Sequence, residues 1–246
     1  MSERPPREIV SRRTRPAKPP LSREIIVSTA LDILARDGLS GLSLRRVATA
    51  LDTGAASLYV YLANLNELHA LMLDSALAAV SMPEAQNGSW RDRLKSVLKA
   101  YLRVLFERQG LAQLALSQIA SGPNSLRIWE TLLGLLKDGG ADDVKAAWGL
   151  DLLTLYVTAI AAEQSVRRAS GEGLDRVRTA LSSISSEEFP LVFAARQALL
   201  SDSDDSQAGW GRGDWALDVI IDGVVGGPNP SVTSSAPKKR GKGHKR

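Results

Sequence analysis

The stretch "SLRRVATALDTGAASLYVYLANLNEL", residues 43–68, holds two short apolar patterns separated by a turn, with two tyrosines two residues apart after a run of small side chains. Ser43 opens the first pattern as a helix cap, with Leu44, Val47, Ala48 and Leu51 on one face and Arg45, Arg46 and Thr49 on the other. Asp52 stops that helix, and Thr53 or Gly54 begins a second of about two turns, in which Leu58 points inward while Ala55, Ala56, Ser57 and Tyr61 can face solvent. Asn64 and Glu67 have the spacing of a capping box for a further helix running to about Ser81. Upstream, Ser22 caps a helix whose apolar residues Ile26, Ala30, Ile33 and Leu34 recur at helical spacing until Gly38.

Two short helices joined by a tight turn and braced by a longer one form a helix-turn-helix. Small residues let the second helix approach base edges in a major groove, and tyrosine hydroxyls near its end can reach flanking phosphates. The same tyrosines and arginines, taken singly, also suit packing and a solvated helix face; only their joint placement around a capped turn points to nucleic acid.

The wider chain fits an all-α protein. Its 246 residues are 44% hydrophobic and 24% charged, enough to bury a core and too apolar for wholesale disorder. Helical periodicity continues over about 89–109, 111–121, 123–138, 141–169, 173–183, 187–200 and 214–226, and no convincing strand interrupts it. Pro83 and Asn87-Gly88 mark a break between two domains. The expected organisation is a basic disordered arm at 1–20, a helix-turn-helix domain at 21–81, a larger helical domain at 89–227, and a basic disordered tail at 228–246. The acidic segment at 201–213 reads as a mobile loop.

Charge is divided unevenly. The net charge is +4, yet residues 1–20 carry six Arg/Lys against two Glu, and residues 231–246 carry six Arg/Lys and no acid, leaving an acidic body. Basic ends on an acidic body suit a polyanion, because neutralising phosphates releases counterions, although solubilising tails have the same composition. Residues 21–81 carry four basic and six acidic groups, so the arm has to help the domain bind DNA. The expected contacts are Arg12, Arg13 and Arg15 along the minor groove or backbone, Arg45 on a phosphate or guanine, and Ala55, Ala56 and Ser57 on thymine methyls or base edges.

The segment "GLSGLSLRRVATALDTGAASLYVYLANLNELHALML" resembles the DNA-binding domain of the TetR family of bacterial transcriptional regulators, over about residues 22–82. The matching residues are a Gly-Leu before the second helix, Val47-Ala48 and Leu51 within it, Leu58-Tyr59 in the recognition helix, and Asn64 and Leu68 at the head of the fourth. "WALDVIIDGVV" near the end resembles the family's second domain more weakly. Candidate DNA contacts therefore also include Tyr59, Tyr61 and Asn64. Three features depart from the family. Asp52 stands at a usual glycine, though aspartate tolerates a left-handed backbone. Leu65 stands at a frequent lysine, and residues 53–62 contain no Arg, Lys, Asn or Gln for bidentate base reading.

The resemblance implies a cytoplasmic homodimer on a palindromic double-stranded operator, most often a repressor, released by a small-molecule effector, with residues 89–227 as the effector-binding and dimerisation domain. Ligand-independent action and activation are the alternatives within that reading. The dimer would use helices at about 141–169 and 214–226, whose apolar faces include Leu152, Leu155, Ile160 and Ala161, and Leu217, Ile220, Ile221 and Val224; such faces also suit an interior. Candidate lining of an effector pocket is Tyr101, Leu105, Trp129, Leu133, Trp148, Leu152 and Tyr156, which suits an apolar or aromatic ligand, although aromatics at helical spacing also build plain core.

Other classes find less support. There is no cysteine, and the only histidines are His69 and His244, so neither a thiolate or histidine-rich metal site nor a Ser-His-Asp triad is expected, nor a cofactor. The Arg- and Pro-rich start has no apolar core of a secretory signal, and the most apolar run, 152–162, is about half the roughly 20 residues that span a bilayer. A helical interaction module without DNA binding would explain the apolar helices but not the capped tri-helical pattern.

Overall fold

The computed structural model describes residues 20–84, 88–118, 121–170, 175–200 and 211–229. The basic arm with Arg12, Arg13 and Arg15, the basic tail and most of the acidic 201–213 segment lie outside them. Among the described residues the chain forms eleven α-helices and no strand.

The first four helices are α1 (Arg23–Asp37), α2 (Leu44–Ala50), α3 (Ala55–Leu58) and α4 (Leu65–Leu77). The side-chain caps expected at Ser22, Ser43 and Asn64 are made, but the return half of the Asn64–Glu67 capping box goes to Ala63, one residue before the cap. Ser22 accepts from the Ile25 N–H, Ser43 from Arg46 and Asn64 from Glu67, satisfying N–H groups that a helix start leaves unpaired. The Glu67 carboxylate reaches back to the Ala63 N–H at 2.5 Å. Gly38 ends α1 at φ 70° and donates to the Leu34 carbonyl. Asp52 takes the left-handed conformation at φ 50°, as its position in the turn requires.

Two boundaries in this part of the chain differ from the periodicity. Helix α3 is one turn rather than two: beyond Leu58 the Tyr61 and Leu62 N–H groups both return to the Leu58 carbonyl, which tightens the second turn out of regular α geometry. Helix α4 ends at Leu77, and Ala78 to Val80 close in i→i−3 bonds before Pro83.

The remaining helices are α5 (Trp90–Glu107), α6 (Leu111–Ser117), α7 (Pro123–Asp138), α8 (Asp143–Ser170), α9 (Asp175–Ser182), α10 (Pro190–Leu200) and α11 (Gly211–Gly226). Ser89 and Asp92 form a capping box on α5, and prolines start α7 and α10, where a missing N–H costs little. Helix α8 is long and apolar enough to cross a membrane by length and composition. Here it is the central strut, packed against α5, α6, α7 and α11, with Leu153, Val157 and Ala161 fully buried. Close approach of α11 to α8 needs Gly149, because a Cβ there would stand 2.5 Å from Val224 Cγ1. Basic residues of α5 at four-residue spacing meet acidic residues of α11 at the same spacing: Arg91 bridges Asp218 and Asp222, Lys95 bridges Asp214 and Asp218, and Lys99 bridges Asp214.

One apolar core runs from Ile26 in α1 to Ile221 in α11, so the two expected domains share buried contacts, chiefly through α4 against α7 and α6. The most direct tie is polar. Asp74 of α4, 7% exposed, accepts from Ser125 Oγ at 2.8 Å, the Ser125 N–H at 2.9 Å and Asn124 Nδ2 at 3.1 Å, capping α7 from another helix. Gly122 has to be glycine beside it, since a Cβ would overlap the Asp74 carboxylate.

Candidate nucleic-acid interface and ligand cavity

Helices α2 and α3 present the exposed surface expected of a helix-turn-helix. Leu58, Val47 and Ala48 anchor them in the core, leaving Arg45, Ala56, Tyr59 and Val60 outward. Tyr59 is 58% exposed and Val60 79%, an apolar display on the outward side of the turn after α3.

The spacing argument for the tyrosines needs correction. Tyr61, read as open, is half-buried and packs against the core, while Tyr59 is the exposed one. The shortened helix is the reason, because tightening after Leu58 rotates the following residues relative to an ideal continuation. Ala55 likewise packs against the core and Ser57 is half-buried, so Ala56 is the exposed member of the small trio.

Arg45 makes no ion pair among the described residues, whereas Arg46 is held by Asp37 at 2.6 Å and braces α2 against the end of α1. Asn64 is exposed, but its Oδ1 serves as the α4 cap at 2.9 Å, leaving only the amide NH₂ for a phosphate. Arg23 was not anticipated. Its Nε donates to the Tyr61 carbonyl at 2.8 Å and its Nη2 lies 3.4 Å from Glu67 Oε1, so one guanidinium fixes the end of the recognition turn to the head of α4. The available signal was a basic residue in the first turn of α1, where helix polarity disfavours it.

A cavity of about 290 Å³ lies between α4, α5, α6, α7 and α8, close to the lower end of the roughly 300–1,000 Å³ common for ligand sites. Leu73 and Leu77 of α4 and Ser125 and Ile128 of α7 form its buried floor. Tyr101 and Trp129 stand in its walls, and Leu116, Asp151 and Leu155 lie exposed on the lining. Tyr101 Oη and Thr158 Oγ1 are 3.2 Å apart, and burial pushes the Tyr101 phenol above its usual pKa, so the hydroxyl stays neutral.

Of the seven lining candidates read from sequence, the structure brings Tyr101 and Trp129 together in this cavity. Leu105 is fully buried in the core, and Leu133 and Tyr156 pack against that core without lining the cavity. Trp148 and Leu152 lie on the outer face of α8 instead. The missed residues had a legible trace: Asp151, Thr154 and Thr158 form a polar stripe at three- and four-residue spacing on an otherwise apolar helix.

That outer face is the third exposed feature. Trp148, Leu152 and Leu155 recur along α8, and Trp215 and Val219 are exposed on α11, which packs against it, with Trp148 56% and Trp215 65% exposed. Ala161, Leu217 and Ile221, also candidates for an interface, are buried within the subunit, while Ile160, Ile220 and Val224 are half-buried against its core.

An all-helical protein with a tri-helical head and a cavity-bearing bundle belongs to the class of helix-turn-helix regulators. Residues 82–226 match the family model described as "Tetracyclin repressor-like, C-terminal domain". The chain is 33% identical over 157 residues to an HTH-type transcriptional regulator of Saccharopolyspora erythraea, covering 63% of this chain and 66% of that one. It is 32% identical over 154 residues to the HTH-type transcriptional repressor DrrR1 of Streptomyces coeruleorubidus, covering 62% and 57%. The solved structure of the Streptomyces coelicolor TetR family protein ActR in complex with (S)-DNPA aligns with a TM-score of 0.74 at 37% identity, over 85% of this chain and 99% of that one. The chain belongs to the TetR family of transcriptional regulators.

Proposed function

We propose that this protein is a ligand-responsive repressor: a homodimer that binds a palindromic DNA operator through α2 and α3 and leaves it when a small aromatic molecule occupies the cavity. The observation that carries the proposal is the double role of α4. Its first turn is tied by Glu67 and Arg23 to the recognition turn, and further along Leu73 and Leu77 floor the cavity. A ligand that prefers a displaced α4 would change the placement of Tyr59 and Arg45, which is the differential affinity that release from DNA requires.

The apolar patch on α8 and α11 supports a twofold interface, since a second copy would cover Trp148, Leu152, Trp215 and Val219 with the same residues. Leu155 belongs both to that patch and to the cavity lining, so occupancy and subunit packing share a side chain. ActR, a relative of similar architecture, has been solved with (S)-DNPA and with actinorhodin; a cavity walled by Trp129 and Tyr101 suits an aromatic ligand here as well. The likeness to transcriptional regulators supports a binding role. Action on a chromosomal operator places the protein in the cytoplasm, with no cofactor required.

The experiment is footprinting of the full chain on double-stranded DNA flanking its own gene, beside Tyr59→Ala. A protected, roughly twofold-symmetric site that weakens at least about tenfold in the variant is expected, since one interface contact carries about 1–3 kcal/mol. Absence of any protected site would overturn the proposal.

A further inference from the structure

The cavity has one formal charge on its described lining, the carboxylate of Asp151; no Lys, Arg or His lines it. Asp151 sits on α8, where its carbonyl accepts from Thr154 Oγ1 at 3.1 Å. Its carboxylate is exposed and makes no ion pair among the described residues. Arg127, one turn before Thr131 on α7, is turned to the Val80 carbonyl at 3.3 Å, and Lys145 on α8 donates to the Gly227 carbonyl at 2.7 Å. The internal segments outside the described residues, 85–87, 119–120, 171–174 and 201–210, contain no Lys, Arg or His in their sequence. Among the described residues the Asp151 charge therefore has no cationic partner, and at the cavity it is open to one from outside.

We infer that the cavity selects a positively charged aromatic ligand, and that Asp151 is the residue that receives its ammonium group. The inference rests on the reading of this cavity as the effector site and adds the charge of the effector to it. An ammonium beside Asp151 gains an opposite charge, and the ring systems of Trp129 and Tyr101 offer electron-rich faces to the same cation. A carboxylate in that position meets a like charge with no basic group to offset it, which raises the cost of taking it out of water. The hydroxyls of Thr154 and Tyr101 suit a neutral oxygen on the remainder of the ligand, so discrimination is expected from Asp151 alone.

The test uses three probes on one skeleton: 9-(aminomethyl)anthracene, 9-anthracenemethanol and 9-anthracenecarboxylate, titrated by calorimetry into the full-length protein without DNA. The wild type is expected to bind the amine about fivefold tighter than the alcohol, and the carboxylate more weakly than either, the size set by an exposed ion pair worth up to about 1 kcal/mol. Asp151→Asn keeps the shape and removes the charge, so amine and alcohol should then bind within about twofold of each other while the alcohol is unchanged. An amine-to-carboxylate preference that survives Asp151→Asn, or a wild type that takes the carboxylate as well as the amine, overturns the charge assignment and leaves the cavity as a ligand site. Failure of all three probes to bind removes the effector-site reading and this inference together. Loss of the dimer in sedimentation of Asp151→Asn would place the carboxylate in a contact between subunits and also overturn the inference.

Discussion

Asp74 offers the sharpest test of how the helix-turn-helix is fastened to the bundle. Its carboxylate holds the first turn of α7 through three good hydrogen bonds, from Ser125 Oγ, the Ser125 N–H and Asn124 Nδ2. Ser125 is 1% exposed and lines the cavity, so in Asp74→Ala its two donors lose the carboxylate and can regain at most a cavity water, while half-buried Asn124 can rehydrate. Each buried orphan costs about 1–3 kcal/mol, and relief from burying the carboxylate offsets part of it, giving a net loss of about 3 kcal/mol. For a chain of this size that corresponds to a fall in Tm of about 6–12 °C, read by circular dichroism at fixed protomer concentration because association also shifts Tm. Ser125→Ala in the Asp74→Ala background should recover part of the loss, with a coupling of about 1–2 kcal/mol, since removing both partners leaves one orphan fewer. A single variant within about 2 °C of wild type, or strictly additive losses, would refute the claim that this cap fastens α4 to α7.

Three further outcomes follow from the geometry. His69 is half-buried on α4, its Nε2 has no hydrogen-bond partner and burial lowers its pKa, so the unfolded chain takes up a proton that the folded one resists. Stability is then complete above the unfolded value near ~6.5 and lost as pH falls through it toward the lower folded value, and urea midpoints at pH 7.5 and 5.5 should differ less in His69→Leu than in wild type. Arg45→Ala should weaken operator binding uniformly across sequences and lower the salt slope by about 2 for a dimer, one phosphate per subunit; an unchanged slope removes that contact. Leu152→Glu puts a charge in the apolar α8–α11 patch and should raise the dimer dissociation constant at least about 100-fold by sedimentation equilibrium, because the twofold axis counts the change twice; a wild-type constant would move the interface elsewhere.

The head of the molecule was largely legible in the sequence because its signals are local. Ser22, Ser43 and Asn64 cap the helices they were expected to cap, and Asp52 takes the left-handed backbone expected of the turn between α2 and α3. The length of α3 was not legible, since Tyr59 to Leu62 continue a helical pattern and only the tightening at the Leu58 carbonyl ends it. In the bundle, periodicity located the helices but not their partners. Leu152 and Leu217 look alike in sequence; one is exposed and the other fully buried, because the distinction depends on which face of α8 meets α11. Trp148 shows the same limit, as an aromatic that reads equally as pocket lining or as interface. Asp74 was a missed clue: an acid inside "LMLDSAL" has to be exposed or paired, and its partner lies 50 residues away.

The position of Asp74 along α4 bears on how a ligand could act at a distance. Glu67 and Asp74 are seven residues apart, two turns or about 10 Å, and Leu73 and Leu77 bracket the acid on the cavity side. Pressure from a ligand on those leucines cannot simply slide α4 along α7, because the Ser125 bonds are short and their donors have no alternative partner. The motion of lower cost is rotation about the Asp74–Ser125 contact, which carries the Arg23–Glu67 end, and with it the Tyr61 carbonyl, sideways. In the proposed mechanism a rigid pivot would turn a small displacement at the cavity into a reorientation of Tyr59, whereas a compliant apolar contact would absorb it. On that proposal the bonds that stabilise the fold are also the ones that would carry occupancy of the cavity to the recognition turn.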